Sequence, residues 1–215
     1  MTNRRDPVYR IGAGAGFAGD RVDPAVALAA SGQVDAVALE CLAERTLVPA
    51  IKARAENPRA GADPRLRRRL TPLLPVAAGT GCKIISNLGA ANPREAGSSI
   101  AELAHSLGVS GLRVAAIEGD DVMDLLNHVK WVRPIQGRLI GAHAYLGCVP
   151  MAEALEAGAA VVVTGRVADS ALFAAPARQF LDKDPNALAG ALTVGHLLEC
   201  GGQLTGGNYD PVGGP

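Results

Sequence analysis

The chain has 215 residues, 48% of them hydrophobic, and Lys plus Arg and Asp plus Glu both total 21, so the formal net charge is zero. That length suits one large domain or two small ones with a sizeable core. A neutral balance offers no broad basic surface, which argues against nucleic acid and anionic membrane as partners and points to a small molecule or another protein.

No stretch approaches the roughly 18 to 20 continuous apolar residues of a membrane span. The first residues, Met1-Thr-Asn-Arg-Arg-Asp-Pro7, hold no apolar signal core, so a cytoplasmic protein is expected. Cys41, Cys82, Cys148 and Cys200 form no Cys-x-x-Cys pair and read as reduced thiols. His105, His128, His143 and His196 likewise lack metal-ligand spacing.

Six short apolar runs read as strands: residues 8–13, 34–39, 82–87, 112–117, 139–145 and 160–164. They alternate with helix-length segments, which is the pattern of βα units around a largely parallel sheet. The fold class expected is α/β, a Rossmann-like doubly wound sheet of about six strands, with a partial α/β barrel as the alternative. Asp23-Pro24 opens a helix over 25–30, Asn92-Pro93 one over 95–107 that Gly108 ends, and Asp120 or Asp121 one over 123–129. The Arg-rich stretch 51–74, broken by Asn57-Pro58 and Asp63-Pro64, reads as a solvated helical pair or as an arginine cluster for an anion. Residues 192–198 form a further helical run. The Gly-rich end that follows from Gly201 has no later element to pack on, so an incomplete domain needing a partner chain or self-association is expected.

The first strand leads into Gly14-x-Gly16-x-x-Gly19-Asp20-Arg21, where small residues let backbone N–H groups approach an anion. Glu40, 21 residues beyond Gly19, stands near the spacing of the ribose-binding acid of a dinucleotide fingerprint. Against NAD(P) stands the late helix start at Asp23-Pro24, because that fingerprint opens its helix inside the glycines. Another ligand and a purely structural turn are the other two readings.

In parallel sheets the C-terminal strand ends share one edge, and polar residues collect there in this chain: Glu40, Asn87, Glu118 with Asp120 and Asp121, His143, and Arg166 with Asp169. Glu118 and Asp120 are candidates for a general base or for oxygen ligands of a cation such as Mg²⁺, while Asp120 and Asp121 also suit helix capping. Arg166 is a clamp for carboxylate or phosphate, with Asp169 capping the next helix or orienting the arginine. His143 reads as a hydrogen-bonded core histidine or as a site residue, and His196 as structural. No Gly-x-Ser-x-Gly elbow, phosphate loop or His-Glu-x-x-His helix occurs.

Taken together, Gly14-Ala-Gly-Phe-Ala-Gly-Asp-Arg21, Glu40-Cys-Leu-Ala-Glu-Arg-Thr46, Asn87-Leu-Gly-Ala-Ala-Asn-Pro93, Glu118-Gly-Asp-Asp-Val122, Thr164-Gly-Arg-Val-Ala-Asp169 and His196-Leu-Leu-Glu-Cys-Gly201 resemble the N-terminal domain of the acyclic terpene utilisation family across nearly the whole chain. That resemblance implies a place among bacterial proteins that break down citronellol- and geraniol-type terpenes through CoA thioesters. The enzyme expected is a hydratase or lyase, with an NAD(P)-dependent oxidoreductase and a non-catalytic, partner-dependent ligand-binding subunit as alternatives. Its expected ligand is an anionic or CoA-linked small molecule, and the cofactor is left open, with Mg²⁺ or a CoA thioester ligand as candidates ahead of NAD(P). Glu118, Asp120 and Asp169 are the expected catalytic residues. Gly14, Gly16, Gly19, Asp20, Arg21, Glu40, Asn87, Asn92 and Arg166 are the expected substrate-binding residues. Two departures are visible: family members are usually much longer than 215 residues, continuing past the Thr205-Gly206-Gly207 region, and His143 stands where the motif expects Asn.

Overall fold

A computed structural model describes residues 8–133, 136–181 and 184–206. Five strands, β1 (Ile11–Ala15), β2 (Ala36–Leu39), β3 (Lys83–Ser86), β4 (Val114–Ile117) and β5 (Val161–Thr164), form one parallel sheet in the order β1-β2-β3-β5-β4. Among the described residues eight α-helices run α1 (Asp23–Ala30), α2 (Glu44–Glu56), α3 (Leu66–Thr80), α4 (Pro93–Ser106), α5 (Val149–Glu156), α6 (Ala171–Ala177), α7 (Pro185–Glu199) and α8 (Gly202–Thr205).

Both faces of the sheet are covered, so its central strands are apolar on both sides, as buried parallel strands must be. Val37, Leu39, Ile84, Val161 and Val163 pack against α1, α3 and α4 through Ala25, Leu70, Leu73, Leu74 and Ile100. The alternate residues Ala36, Ala38, Ile85 and Val162 pack against α5, α6 and α7 through Met151, Leu172, Phe173 and Leu192. The sheet is open, so the doubly wound reading stands and the barrel does not.

The chain advances along one face from β1 to β4 and then returns on the other face through α5 to place β5 between β3 and β4. Neighbours β3 and β5 therefore send their following helices, α4 and α6, to opposite faces. That is a topological switch point, where open α/β sheets leave a crevice beyond the C-terminal strand ends.

Three expectations need correction. The run 139–145 is not a strand: Leu139 and Ile140 are exposed, and the segment lies across the strand-end loops with only single bridges. Its amides and carbonyls are used there, Ala144 N–H donating to Asp120 O and Val122 N–H to Ala142 O. The 51–74 excursion is not simply solvated either, because α3 buries Leu66, Arg69, Leu70, Leu73, Leu74 and Ala77 beneath the sheet. The turn after β4 becomes a 3-10 helix, Met123–His128, whose Met123 N–H is met by Asp121 Oδ1 at 3.2 Å. Asp23-Pro24 does open α1, though as its first turn and not as its cap. Residues 207–215 of the Gly-rich tail lie outside the described residues.

Candidate active site at the strand ends

Glu40, Asn87, Asp120 and Arg166 each stand within three residues of a strand end and are buried. Asn87 ties two of the strand ends together. Its Oδ1 accepts Cys41 N–H at 2.7 Å, while its Nδ2 donates to Glu40 Oε1 at 2.9 Å. Leu42 N–H donates to the same Glu40 oxygen at 3.0 Å. From β5, the Arg166 guanidinium donates to Leu42 O and, at 2.5 Å, to Asp169 Oδ1, and its plane lies 4.1 Å from the centre of the Tyr145 ring. Asp120 Oδ2 accepts Arg166 N–H at 2.7 Å and faces His143 Nδ1 at 2.8 Å. One hydrogen-bonded net thus runs from β2 to the loop after β4.

The glycine loop is largely self-contained. Asp20 Oδ2 accepts Gly16 N–H at 2.7 Å and Phe17 N–H at 3.1 Å, the place an incoming anion would take. Buried Arg69 donates to the carbonyls of Phe17, Ala18 and Asp20. The glycines have separate packing reasons. A Cβ on Gly14 would stand 2.5 Å from Val37 Cγ1, one on Gly16 2.5 Å from Glu199 O, and one on Gly19 2.2 Å from the Phe17 ring. Because α1 begins only at Asp23, no helix N-terminal amide lies inside the glycine run as a pyrophosphate seat would need.

Two cavities flank this loop. One of about 370 Å³ is bounded by Gly16, Phe17, Ala18, Glu40, Cys41, Ala43, Arg45, Thr46 and Gln203. The other, about 390 Å³, takes in Gly14, Asp20 and Arg21 together with Leu198 and Leu204. Gly14 and Gly16 therefore line different spaces, and Gly19 lines neither.

Glu40 dominates the first cavity. Only 7% exposed, it has its carboxyl pushed up to about 7 by burial, against the opposing pull of the Asn87 hydrogen bond, with Asp169 adding to the rise. Oε1 carries both of its hydrogen bonds, so Oε2 keeps its lone pairs for whatever enters. The first turn of α2 forms the opposite wall, and first-turn N–H groups have no partner inside their own helix. Thr46 Oγ1 meets that of Ala43 at 2.9 Å, while no acceptor stands over the Arg45 amide among the described residues. Cys41 contributes no nucleophile, since burial pushes its thiol up to about 12.

The other expected site residues lie apart from this cavity. Glu118 is 45% exposed and paired with Arg94 at 2.6 Å. Asp121 faces Arg54 at 3.5 Å, Arg21 pairs with Asp23 at the surface, and Asn92 caps α4. His143 is a buried partner of Asp120, and His196 is exposed on α7. No group of three or more His, Cys, Asp or Glu among the described residues is arranged to hold a metal ion. No helix among the described residues is long and apolar enough to cross a membrane.

The model of the acyclic terpene utilisation family protein AtuA matches residues 9–212. The chain belongs to the AtuA family. No curated protein and no solved structure matches it.

Within this AtuA-family chain the strand-end motifs mark the right stretches but not every working side chain. Tyr145 stacks on Arg166 and donates its hydroxyl to Glu44, which opens α2. Arg69 holds the glycine loop from 49 residues beyond Asp20. Neither residue carries a local signal: Tyr145 sits in a run that reads as a strand, and Arg69 is one of several arginines in the 51–74 stretch.

Proposed function

We propose that this AtuA-family protein is an enzyme of branched acyl-CoA or terpenoid-acid catabolism, of the hydratase or lyase type. The acyl group enters the cavity between the glycine loop and α2. The observation that carries this reading is Glu40, a buried carboxyl with one oxygen locked by Asn87 and Leu42 and the other free, opposite the open first turn of a helix.

Addition of water to a carbon–carbon double bond conjugated with a thioester needs a group that takes a proton and gives it back, and an electrophilic seat for the thioester oxygen. Glu40 suits the first task because a carboxyl near pKa 7 exchanges protons efficiently at neutral pH. As water adds at the β-carbon, the Glu40 carboxylate takes its proton. The double-bond electrons move through the α-carbon onto the thioester oxygen, beside the Arg45 amide and the positive end of the α2 dipole. The proton then returns from Glu40 to the α-carbon, and the reverse sequence is elimination. Asn87 aims the carboxyl, and Arg166 with Asp169 sets the charge around it.

This assignment moves the base from Glu118 and Asp120 to Glu40, since Arg94 occupies the first and Arg166 with His143 occupies the second. The test is turnover of branched enoyl-CoA thioesters by the purified chain and by Glu40→Gln, which keeps the acceptor oxygen but cannot titrate. A loss of kcat of about 10²-fold or more is expected. Undiminished turnover in Glu40→Gln would overturn the assignment. For the oxidoreductase alternative, the measurement is NADH titration, and micromolar binding would displace the hydratase reading.

A further inference from the structure

A third cavity, about 480 Å³, lies along α2 and is bounded by Arg45, Thr46, Ala53, Arg59, Gly61, Asp63 and Arg65 among others. Arg45 and Thr46 bound the Glu40 cavity as well, so both spaces adjoin the first turn of α2. The walls are small and apolar, and three guanidinium groups stand on the rim.

The wall opposite α2 is rigid. The Asn92 side chain, itself buried, donates to Pro58 O at 2.9 Å and to Ala60 O at 2.7 Å. Ala91 N–H donates to Gly61 O at 2.9 Å and Asp63 N–H to Leu88 O at 2.9 Å. Gly61 is required there, with φ +105 and Arg54 Cβ 2.9 Å from where its own Cβ would be. The one acid of the lining, Asp63, is buried, and its Oδ1 already accepts Arg65 N–H at 2.7 Å.

The arginines are not spent. Arg59 faces Glu95 at 3.5 Å and Arg65 faces Asp63 at 3.7 Å, both beyond good charge-assisted hydrogen-bond length, and Arg45 has no ion pair among the described residues. A preformed space with apolar walls and several guanidinium groups fits a ligand that combines a flat, weakly polar body with two or more anionic oxygens.

We infer that this cavity binds a nucleoside phosphate, with the base between α2 and the 58–65 loop and the phosphates on Arg45, Arg59 and Arg65. In the setting of the proposed reaction, and resting on that reading, it is the handle site of a thioester substrate whose acyl end reaches Glu40 past the first turn of α2. Placing binding energy on the non-reacting handle holds the acyl group at the carboxyl without weakening the seat for developing charge.

The experiment is calorimetric titration of the full chain with ADP, AMP, adenosine and inorganic phosphate, and with coenzyme A to separate a free nucleotide from a thioester handle. ADP and coenzyme A are expected to bind, adenosine and phosphate at least about tenfold more weakly, with affinity falling as salt is raised. Arg59→Glu is expected to weaken ADP about tenfold or more by charge reversal on the rim, and Ala53→Phe to block it by filling the cavity. Circular dichroism confirms that each variant folds. Equal binding of adenosine and ADP, unchanged ADP affinity in both variants, or no ADP binding at millimolar concentration would each overturn the inference. If an enoyl-CoA is turned over and Arg59→Glu leaves its KM unchanged, the handle site fails and the reaction stands. If ADP binds as expected while Glu40→Gln turns over thioester undiminished, the reaction reading fails and the nucleotide site stands.

Discussion

Glu40 and Glu118 each stand one residue beyond the end of a strand in the same parallel sheet, yet the fold gives them opposite fates. Glu40 follows β2, an inner strand, where Asn87 just after β3, the turn at Leu42 and α2 close around it and burial pushes its carboxyl up to about 7. Glu118 follows β4 at the sheet's edge, where it stays about half exposed and Arg94 pairs with it at the surface. Position along a strand therefore brings a carboxylate to the functional edge, while position across the sheet decides whether it is desolvated. Desolvation is what brings the Glu40 carboxyl to a pKa suited to proton transfer at neutral pH.

The largest expected effect comes from removing the cation that organises the buried side of this comparison. Arg166→Ala deletes the partner of Asp169 and Leu42 O and the stack on Tyr145, leaving a half-buried carboxylate and a carbonyl unpaired. Chemical denaturation should register a loss on the order of 3 to 5 kcal/mol. A loss below about 1 kcal/mol would show that the strand-end net is not a stability determinant.

Next is the pH dependence carried by Glu40. Its folded pKa of about 7 lies above the reference value of 4.5, so the fold binds the proton more tightly than the unfolded chain. The stability associated with the protonated group is complete below 4.5 and is lost as pH rises through about 7. The loss is on the order of 3 kcal/mol, and Glu40→Gln should remove that slope. Denaturation at the two ends of the window, in both proteins, measures it, and an equal slope in Glu40→Gln would assign it elsewhere. Asp169, raised mainly by burial against the pull of Arg166, contributes in the same direction.

Tyr145→Phe tests the link between the net and α2. It removes the hydroxyl that donates to Glu44 but keeps the ring under Arg166. Because Tyr145 and Glu44 are both exposed, a loss of about 0.5 to 1 kcal/mol is expected from thermal melting. A loss as large as that of Arg166→Ala would make the hydroxyl, and not the ring, the anchor of α2. The smallest effect belongs to the exposed side of the comparison. Glu118→Gln should change stability by no more than about 0.5 kcal/mol, since its ion pair with Arg94 is solvated. A larger change would mean that the β4 edge is more organised than its exposure indicates.

Particular residues show where sequence reasoning reaches and where it stops. The runs around Val37, Ile84, Ala115 and Val162 announce strands because β-branched and small apolar residues pack on both faces of a parallel sheet, and their neighbours in sequence suffice to show it. Asp23-Pro24 and Asn92-Pro93 announce helix starts for equally local reasons, a preset proline φ and a side chain ready to cap. Arg166 with Asp169 is legible too, three residues apart at a strand-to-helix junction. The run 139–145 has the same composition as a strand, yet its β pairing is only the single bridge of His143 to Asp121 in the loop after β4, so it lies over the loops instead.

Local chemistry in the sequence thus determined the α/β class, the places of five strands, the helix starts at Asp23-Pro24 and Asn92-Pro93 and the set of polar residues that follow the strands. Only the tertiary structure decided that β5 enters between β3 and β4 and that Asp20 fills the anion position of its own glycine loop. It also decided that Arg69 crosses from α3 to hold that loop, and that Glu40 and not Glu118 is buried. The physical reason is that propensity, capping and turn preference act over a few residues, whereas desolvation and hydrogen-bond pairing depend on which distant segment arrives alongside.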